Sequence, residues 1–468
     1  MASVVLQSLR SSALNKELQK DNRLEAWSPG IQASDAASAQ ELIKISVANG
    51  ADLSAGGTHR VTIPKSGIIT SCYVRIVMVG ASNSGVADTR LYITKALGCA
   101  FVEEANLMSH SRKISGINTQ QTMSLIEAMP SGRRELYKTM CGYELHGQLQ
   151  PTNALADTLN LHSGLTTGQR DLVVYCPILL PCFMGDRRQA LWSSFCETME
   201  VELKIRKMSD LIAAATGAST VPTVKATMCF NTTSLDDRLY QQAVNSVFKL
   251  GKSVQSLCRD YQLIAYDTQA VTGLADNGTT RGEELEFTAS SNASSLCRSI
   301  LVVVYKQNNT PKAGGYDLNQ AAVVARVRDA KTKTPASLTA VTDTEDILSV
   351  TFSASGRDII NSSAEDALMQ YAQEPFAADS SRMGNHFVHR FALDPKDGKY
   401  SGGCSLSSLS AQHWKVKAFI KRRAPGNANA DGVVGDYGAH YRMEIWAENY
   451  KVVSVSSSDG SVRTALSV

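Results

Sequence analysis

The sequence predicts an all-β protein built from two sandwiches in succession. Three observations lead there. Short segments alternating apolar and polar residues recur along the 468 residues. Clusters of Gly, Ser, Asn and Asp separate them, and the alternating strand–helix rhythm of a parallel sheet is missing. That length accommodates two large β domains with cores that need no disulfides. With 43% hydrophobic and 19% charged residues, a disordered chain and a coiled coil are both excluded. Lys and Arg total 47 against 44 acids, too even a balance for a polybasic nucleic-acid binder.

Taken in order, Met1–Lys20 mixes Arg10, Lys16 and Lys20 with polar residues and lacks the apolar run of a signal peptide, which predicts synthesis in the cytosol. No stretch approaches the ~18–20 apolar residues of a membrane helix. Tyr73–Val79 reads as a strand. Thr119–Met140 reads as helical, with a break at Pro130-Ser-Gly132. In Glu200–Arg206, Val201, Leu203 and Ile205 share one face while Glu202, Lys204 and Arg206 share a wet one. Met208–Lys225, rich in Ala, Thr and Ser, is the best boundary between halves. Leu235–Leu250 opens with Ser234 as N-cap and Asp236 and Asp237 behind it, predicting a helix. Further strands are Ile300–Tyr305, Trp414–Ile420 with Lys415 and Lys417 outward, and Tyr441–Val455, long enough to bend or hold two strands. The halves show no letter-for-letter repeat, so any duplication must be architectural.

A search for chemistry finds no active site. Ten cysteines (72, 99, 141, 176, 182, 196, 229, 258, 297 and 404) form no Cys-x-x-Cys pair, and several sit in apolar segments, as reduced core thiols do. There is no His-Glu-x-x-His, and His386 and His389 would point to opposite faces of a strand. Gly251-Lys252-Ser253 lacks the upstream glycine of a phosphate loop, since Ser246 stands there. Adjacent acids such as Glu103-Glu104, Asp236-Asp237 and Glu283-Glu284 diverge and suit solvation. Catalytic, cofactor and metal residues are therefore expected to be absent. Asn231, Asn277, Asn292, Asn308 and Asn361 stand in Asn-x-Ser/Thr sequons, either chance matches or glycan acceptors.

Ile63-Pro-Lys-Ser-Gly-Ile-Ile69, leading into the strand from Tyr73, resembles the early turn of the major capsid proteins of nucleocytoplasmic large DNA viruses. Leu97-Gly-Cys-Ala-Phe-Val-Glu-Glu-Ala-Asn-Leu107 with Arg112-Lys-Ile114 is similar to that family's next stretch, and Thr119–Met140 to its helical insertion. Cys176–Phe183, Ala190-Leu191 and Met199–Leu203 parallel a proline-rich turn and closing strand, with Trp192 in place of a proline. Leu235–Gln242 resembles the opening of the second half. Phe391-Ala-Leu-Asp-Pro395 and Ser401–Ser407 resemble a later motif, with Tyr400 and Ser405 replacing a proline and an asparagine. Glu448–Ser456 takes the place of the closing strand.

The resemblance implies a double jelly roll, two consecutive eight-stranded sandwiches with a few short helices in connecting loops. The expected division is an N-terminal arm at 1–30, a first jelly roll at 31–210, a linker at 211–225 and a second jelly roll at 226–468. It also implies a non-enzymatic homotrimer that forms a pseudo-hexagonal capsomer of an icosahedral virion shell, assembled in the host cytoplasm. Implied partners are neighbouring capsomers, minor capsid and penton proteins, and an internal membrane reached through minor proteins, with no cofactor and no direct nucleic acid. Loops Asp267–Glu284 and Gln307–Leu318 are expected on the outer face. The basic residues Arg10, Lys16, Lys20 and Arg23 either face inward or form a solvated leader. Two other readings remain open at this point. One is the coat of a smaller virus or virophage-like element. The other is a carbohydrate-binding sandwich, for which Trp27, Trp192, Trp414 and Trp446 form no cluster in sequence.

Overall fold

The computed structural model describes residues 38–79, 91–142, 147–149, 172–180, 191–214, 223–235, 254–270, 282–307, 345–363, 386–392, 402–421, 440–455 and 462–466, a few positions within these spans excepted, together with Phe183 and Asp366. Among the described residues, five antiparallel sheets hold the strands. One has the order β1 (Ser38–Ser46), β11 (Thr223–Leu235), β3 (Ile68–Val79), β8 (Leu172–Pro177). It shares a core with β2 (Gly57–Thr62), β9 (Met199–Ile205), β5 (Val102–Ser109), β6 (Arg112–Asn118). The second pair is β12 (Val254–Ala270), β20 (His440–Val455), β14 (Leu296–Gln307), β17 (His386–Arg390), facing β13 (Gly282–Ser291), β19 (Gln412–Lys421), β15 (Glu345–Ala354), β16 (Arg357–Ser363). Short strands β18 (Cys404–Ser405) and β21 (Val462–Leu466) extend the larger of these sheets, and β10 (Ile212–Ala214), β4 (Leu91–Ile93) and β7 (Gly147–Leu149) form a small sheet of their own.

Counting eight sandwich strands per unit in chain order, both units read 1-8-3-6 in one sheet and 2-7-4-5 in the other. That interleaving is the jelly roll. The duplication is thus written in strand order, where the letters show none.

Period-two patterning fixes each inner face. In the first unit Val74, Ile76, Met228 and Phe230 from one sheet meet Ala105, Leu107, Val201 and Leu203 from the other. In the second, Phe287, Val350, Phe352, Trp414 and Val416 meet Ile300, Val302, Met443 and Ile445. Trp414 stacks on Phe352 at 3.9 Å between ring centres, and its Nε1 donates to Ser291 Oγ at 2.9 Å. Beside it, buried Gln412 accepts from Ser291 Oγ at 2.7 Å and donates to the carbonyls of Ala293, Leu406 and Leu409, clasping two loops to one strand.

Three readings of the sequence change. The segment expected as linker at 211–225 holds β10 and leads into β11, which pairs with both β1 and β3. It is therefore the last connection inside the first sandwich, and the passage between sandwiches falls after Leu235. Composition marked a loop there, but a loop within a domain and one between domains look alike in composition. Arg206 does not share the wet face of β9. It lies one residue past the strand, buried, donating to Ala100 O at 2.7 Å and Thr119 Oγ1 at 2.9 Å. Tyr441–Val455 belongs to one continuous strand, and the helix expected over Leu235–Leu250 begins on the last residue of β11 and otherwise lies outside the described residues.

Other expectations agree. Helices Thr119–Glu127 and Ser131–Cys141 flank the expected break. Cys72, Cys99, Cys141, Cys176, Cys196, Cys229 and Cys297 are buried free thiols, and Cys404 is a half-exposed one. Lys415 and Lys417 point outward, paired with Glu286 at 2.8 Å and Glu284 at 3.0 Å. The Asp267–Glu284 excursion narrows to 271–281, because β12 runs to Ala270 and β13 starts at Gly282; that gap and the Gln307–Leu318 loop past its first residue lie outside the described residues.

Candidate functional site

A strand covered on one face alternates apolar and polar residues, whereas one covered on both reads as an unbroken apolar run. Ile300-Leu-Val-Val-Val304 in β14 is such a run, and all five residues are buried. Ile300, Val302 and Val304 enter the second core. Leu301 and Val303, on the opposite face, join the first unit's apolar cluster together with Trp446, Val453 and Val455. The outer face of the β12–β20–β14–β17 sheet is thus a seam against the first sandwich.

Polar groups cross this seam. Lys451 Nζ on β20 donates to Ile114 O on β6 at 2.7 Å and to Asp260 on β12 at 2.6 Å, while Ser115 of β6 donates to the other Asp260 oxygen. One row further, Glu448 is buried and accepts from Ser299 Oγ and from Tyr261 OH at 3.2 Å, with Arg259 Nε at 3.8 Å. Burial pushes the Glu448 carboxyl up, but Arg259, Arg298 and the two hydroxyls outweigh it and hold the group below the usual carboxylate range. Burial, with the Glu448 charge beside it, drives the Tyr261 phenol well up. At the far end Glu444 accepts from Tyr305 OH at 2.8 Å and Trp446 Nε1 at 3.1 Å and pairs with Arg442 at 2.8 Å. The Lys451–Ile114 and Ser115–Asp260 bonds join the two sandwiches, while the Glu448 and Glu444 groups tie strands of the second one together.

The first unit has its own close approach. Gly98 sits in the short helix Leu97–Phe101, and a Cβ there would overlap the Tyr175 carbonyl oxygen on β8. Only glycine lets this helix lie on the sheet.

Among the described residues no three His, Cys, Asp or Glu side chains group as metal ligands. His389, on β17, lies between Phe387 and Phe391, where burial lowers its pKa. Glu103 and Glu104 diverge as expected, to Lys204 at 3.0 Å and Lys113 at 2.7 Å. Of the sequons, Asn292 and Asn361 are exposed, and Asn231 lies half-buried on β11, donating to Ser71 Oγ at 2.7 Å. Asn277, Asn308 and Gly251-Lys252-Ser253 lie outside the described residues. Sequence reasoning missed the seam, although the unbroken run in β14 and the acids embedded among apolar residues in β20 were its signal.

No known family's sequence pattern matches the chain, and no curated protein is similar to it in sequence. Solved structures are similar over nearly its whole length. The crystal structure of PBCV-1 VP54, fitted into a reconstruction of the virophage Sputnik, gives a TM-score of 0.57 at 12% identity, covering 92% of this chain and 98% of that one. A quasi-atomic model of the PBCV-1 virus capsid gives 0.57 at 12%, covering 92% and 97%. The Faustovirus major capsid protein gives 0.54 at 10%, covering 89% and 90%. The chain has the double jelly-roll fold, and these capsid-protein structures are similar to it over 89–92% of its length.

Proposed function

We propose that this chain is a major capsid protein whose homotrimer tiles the icosahedral shell of a large double-stranded DNA virus. The observation that carries the reading is the pair of jelly rolls of identical strand order locked by a buried seam, in a chain coextensive with capsid-protein folds. Such a unit is a rigid block. Three blocks present six sandwiches, which approximate a hexagon and pack a surface without gaps. The role is mechanical, with no substrate turned over. Its site is the virion, reached by assembly in the host cytoplasm. Its partners are further capsomers, minor and penton proteins, and through them an internal membrane. Near-neutral charge suits a shell that does not itself condense DNA.

Light scattering across a size-exclusion peak tests the reading. Three chains of 50.4 kDa predict about 151 kDa, with hexagonal outlines in negative stain. A folded 50 kDa species at every concentration would refute the trimer.

A further inference from the structure

We propose that Cys297 and Cys404 are a disulfide-forming pair, free thiols in a reducing compartment and a covalent clasp once the protein meets a peroxide. The bond itself goes beyond the capsid reading and needs none of it.

Register brings the two thiols together. Cys297 lies near the start of β14 and Cys404 opens β18, and they are direct partners in that antiparallel pair, with Leu296 opposite Ser405 beside them. Direct partners send their side chains to the same face of a sheet. Here that face is the second core, where Cys297 is fully buried and Cys404 packs against the same apolar cluster. Such partners stand about 4.5–5.5 Å apart at Cα, inside the roughly 4.4–6.8 Å that a disulfide spans, so no backbone has to move. Gly403 permits the approach, since a Cβ there would lie 2.8 Å from the Cys297 carbonyl oxygen. Bonds on both sides hold β18 in place. Tyr450 OH donates to Gly402 O at 3.0 Å, and Leu406 N donates to Ser295 O at 2.9 Å.

Access sets the order of events. Cys72, Cys99, Cys141 and Cys176 are buried, whereas Cys404 is half-exposed and is the thiol a small oxidant reaches first. The Cys404 sulfur attacks one peroxide oxygen, the O–O bond breaks, and the other oxygen leaves as water with the thiol's proton. Cys297 then attacks the sulfenic sulfur, the S–S bond forms, and the S–O bond breaks to release a second water carrying the Cys297 proton. Two thiols thus give up two electrons and one peroxide becomes two waters. The bond costs Cys297 the hydrogen bond that its thiol donates to Ser299 O at 3.1 Å. Burial, then the Glu448 charge, push the Cys297 thiol well up, and burial raises Cys404, so the clasp closes slowly. Once closed, it ties off a loop on the order of a hundred residues, the kind of constraint that stabilises most. On the capsid reading, a chain folded in a reducing cytosol closes this clasp only after release.

The test uses the full chain, purified in reductant and then treated with hydrogen peroxide. Alkylation of the remaining thiols, proteolysis and mass spectrometry should find peptides joined through Cys297 and Cys404 that separate on reduction. The oxidised parent should melt about 5 °C or more above the reduced parent. Cys404→Ser should show neither the link nor the shift, and the parent's own peptides decide the matter if that variant does not fold. Cys404 oxidised to a sulfinic acid beside an alkylated Cys297 would overturn the pair. So would a bond from Cys404 to a different cysteine or to a second copy. A link that leaves the melting temperature unchanged would overturn the clasp. None of these outcomes bears on the mass of the assembly, so the capsid reading stands or falls on its own measurement.

Discussion

Lys451→Met isolates the electrostatic part of the seam. Lys451 is 10% exposed and Asp260 15%, so the pair is largely out of water. Methionine keeps most of the side-chain volume but removes the ammonium group that bonds Asp260 at 2.6 Å and Ile114 O at 2.7 Å. Asp260 would keep Ser115 but lose its countercharge. Breaking a buried pair from one side costs about 3–5 kcal/mol, and the orphaned carbonyl contributes within that figure. At 1.4 kcal/mol per decade, the folding equilibrium shifts by about a hundred- to a few-thousand-fold. Lys451→Met with Asp260→Leu removes both charges and should recover all but about 1–2 kcal/mol. Urea titration suits the assay, followed by the fluorescence of Trp446 or of Trp414 in chains whose other three tryptophans are replaced by phenylalanine. Trp446 sits in the seam and Trp414 in the second core, so the seam signal should move to lower urea at least as far as the core signal. A single-variant cost below about 1 kcal/mol, or a double variant as costly as the two singles summed, would refute the account.

Two further outcomes follow from the same geometry. Gly98→Ala places a methyl group against the Tyr175 carbonyl oxygen, backbone that cannot rotate away, so it should cost about 3 kcal/mol or more in thermal or urea denaturation. Glu448, held below the usual carboxylate range when folded, contributes stability that is whole above about pH 4.3 and is lost as pH falls through its folded value. Glu448→Gln should therefore be less stable at pH 7 and should lose less stability than the parent between about pH 4 and pH 2; parallel curves would contradict the assignment.

Much of the fold was legible because a strand with one wet face writes itself as period two. Trp414–Ile420 and Glu200–Ile205 were read correctly with their lysines outward. Arg206 was misread because strand periodicity extends past a strand's end, while its burial depends on the helix carbonyl at Ala100, distant in sequence. The domain divide was misplaced for a related reason. β11 is an ordinary strand in composition, and only its pairing with β1 and β3 assigns it to the first sandwich. The seam is a property of two surfaces meeting, and Lys451, Asp260 and Ile114 come from three separate strands. No local pattern encodes such a meeting.

Strand order also dictates when each half can fold. In both sandwiches the eighth strand lies between the first and the third, so β1 and β3, like β12 and β14, are joined only through β11 or β20. Ser38 waits for Leu235, and Val254 for Val455. A chain emerging from the ribosome therefore carries open strand edges for nearly the whole synthesis of each half, with most of the entropy of loop closure still ahead. Such edges are templates for wrong pairing, within the chain or between nascent neighbours. Each half thus reaches its native sheet by a late insertion into the centre, and its yield depends on keeping two edges apart until that strand is made.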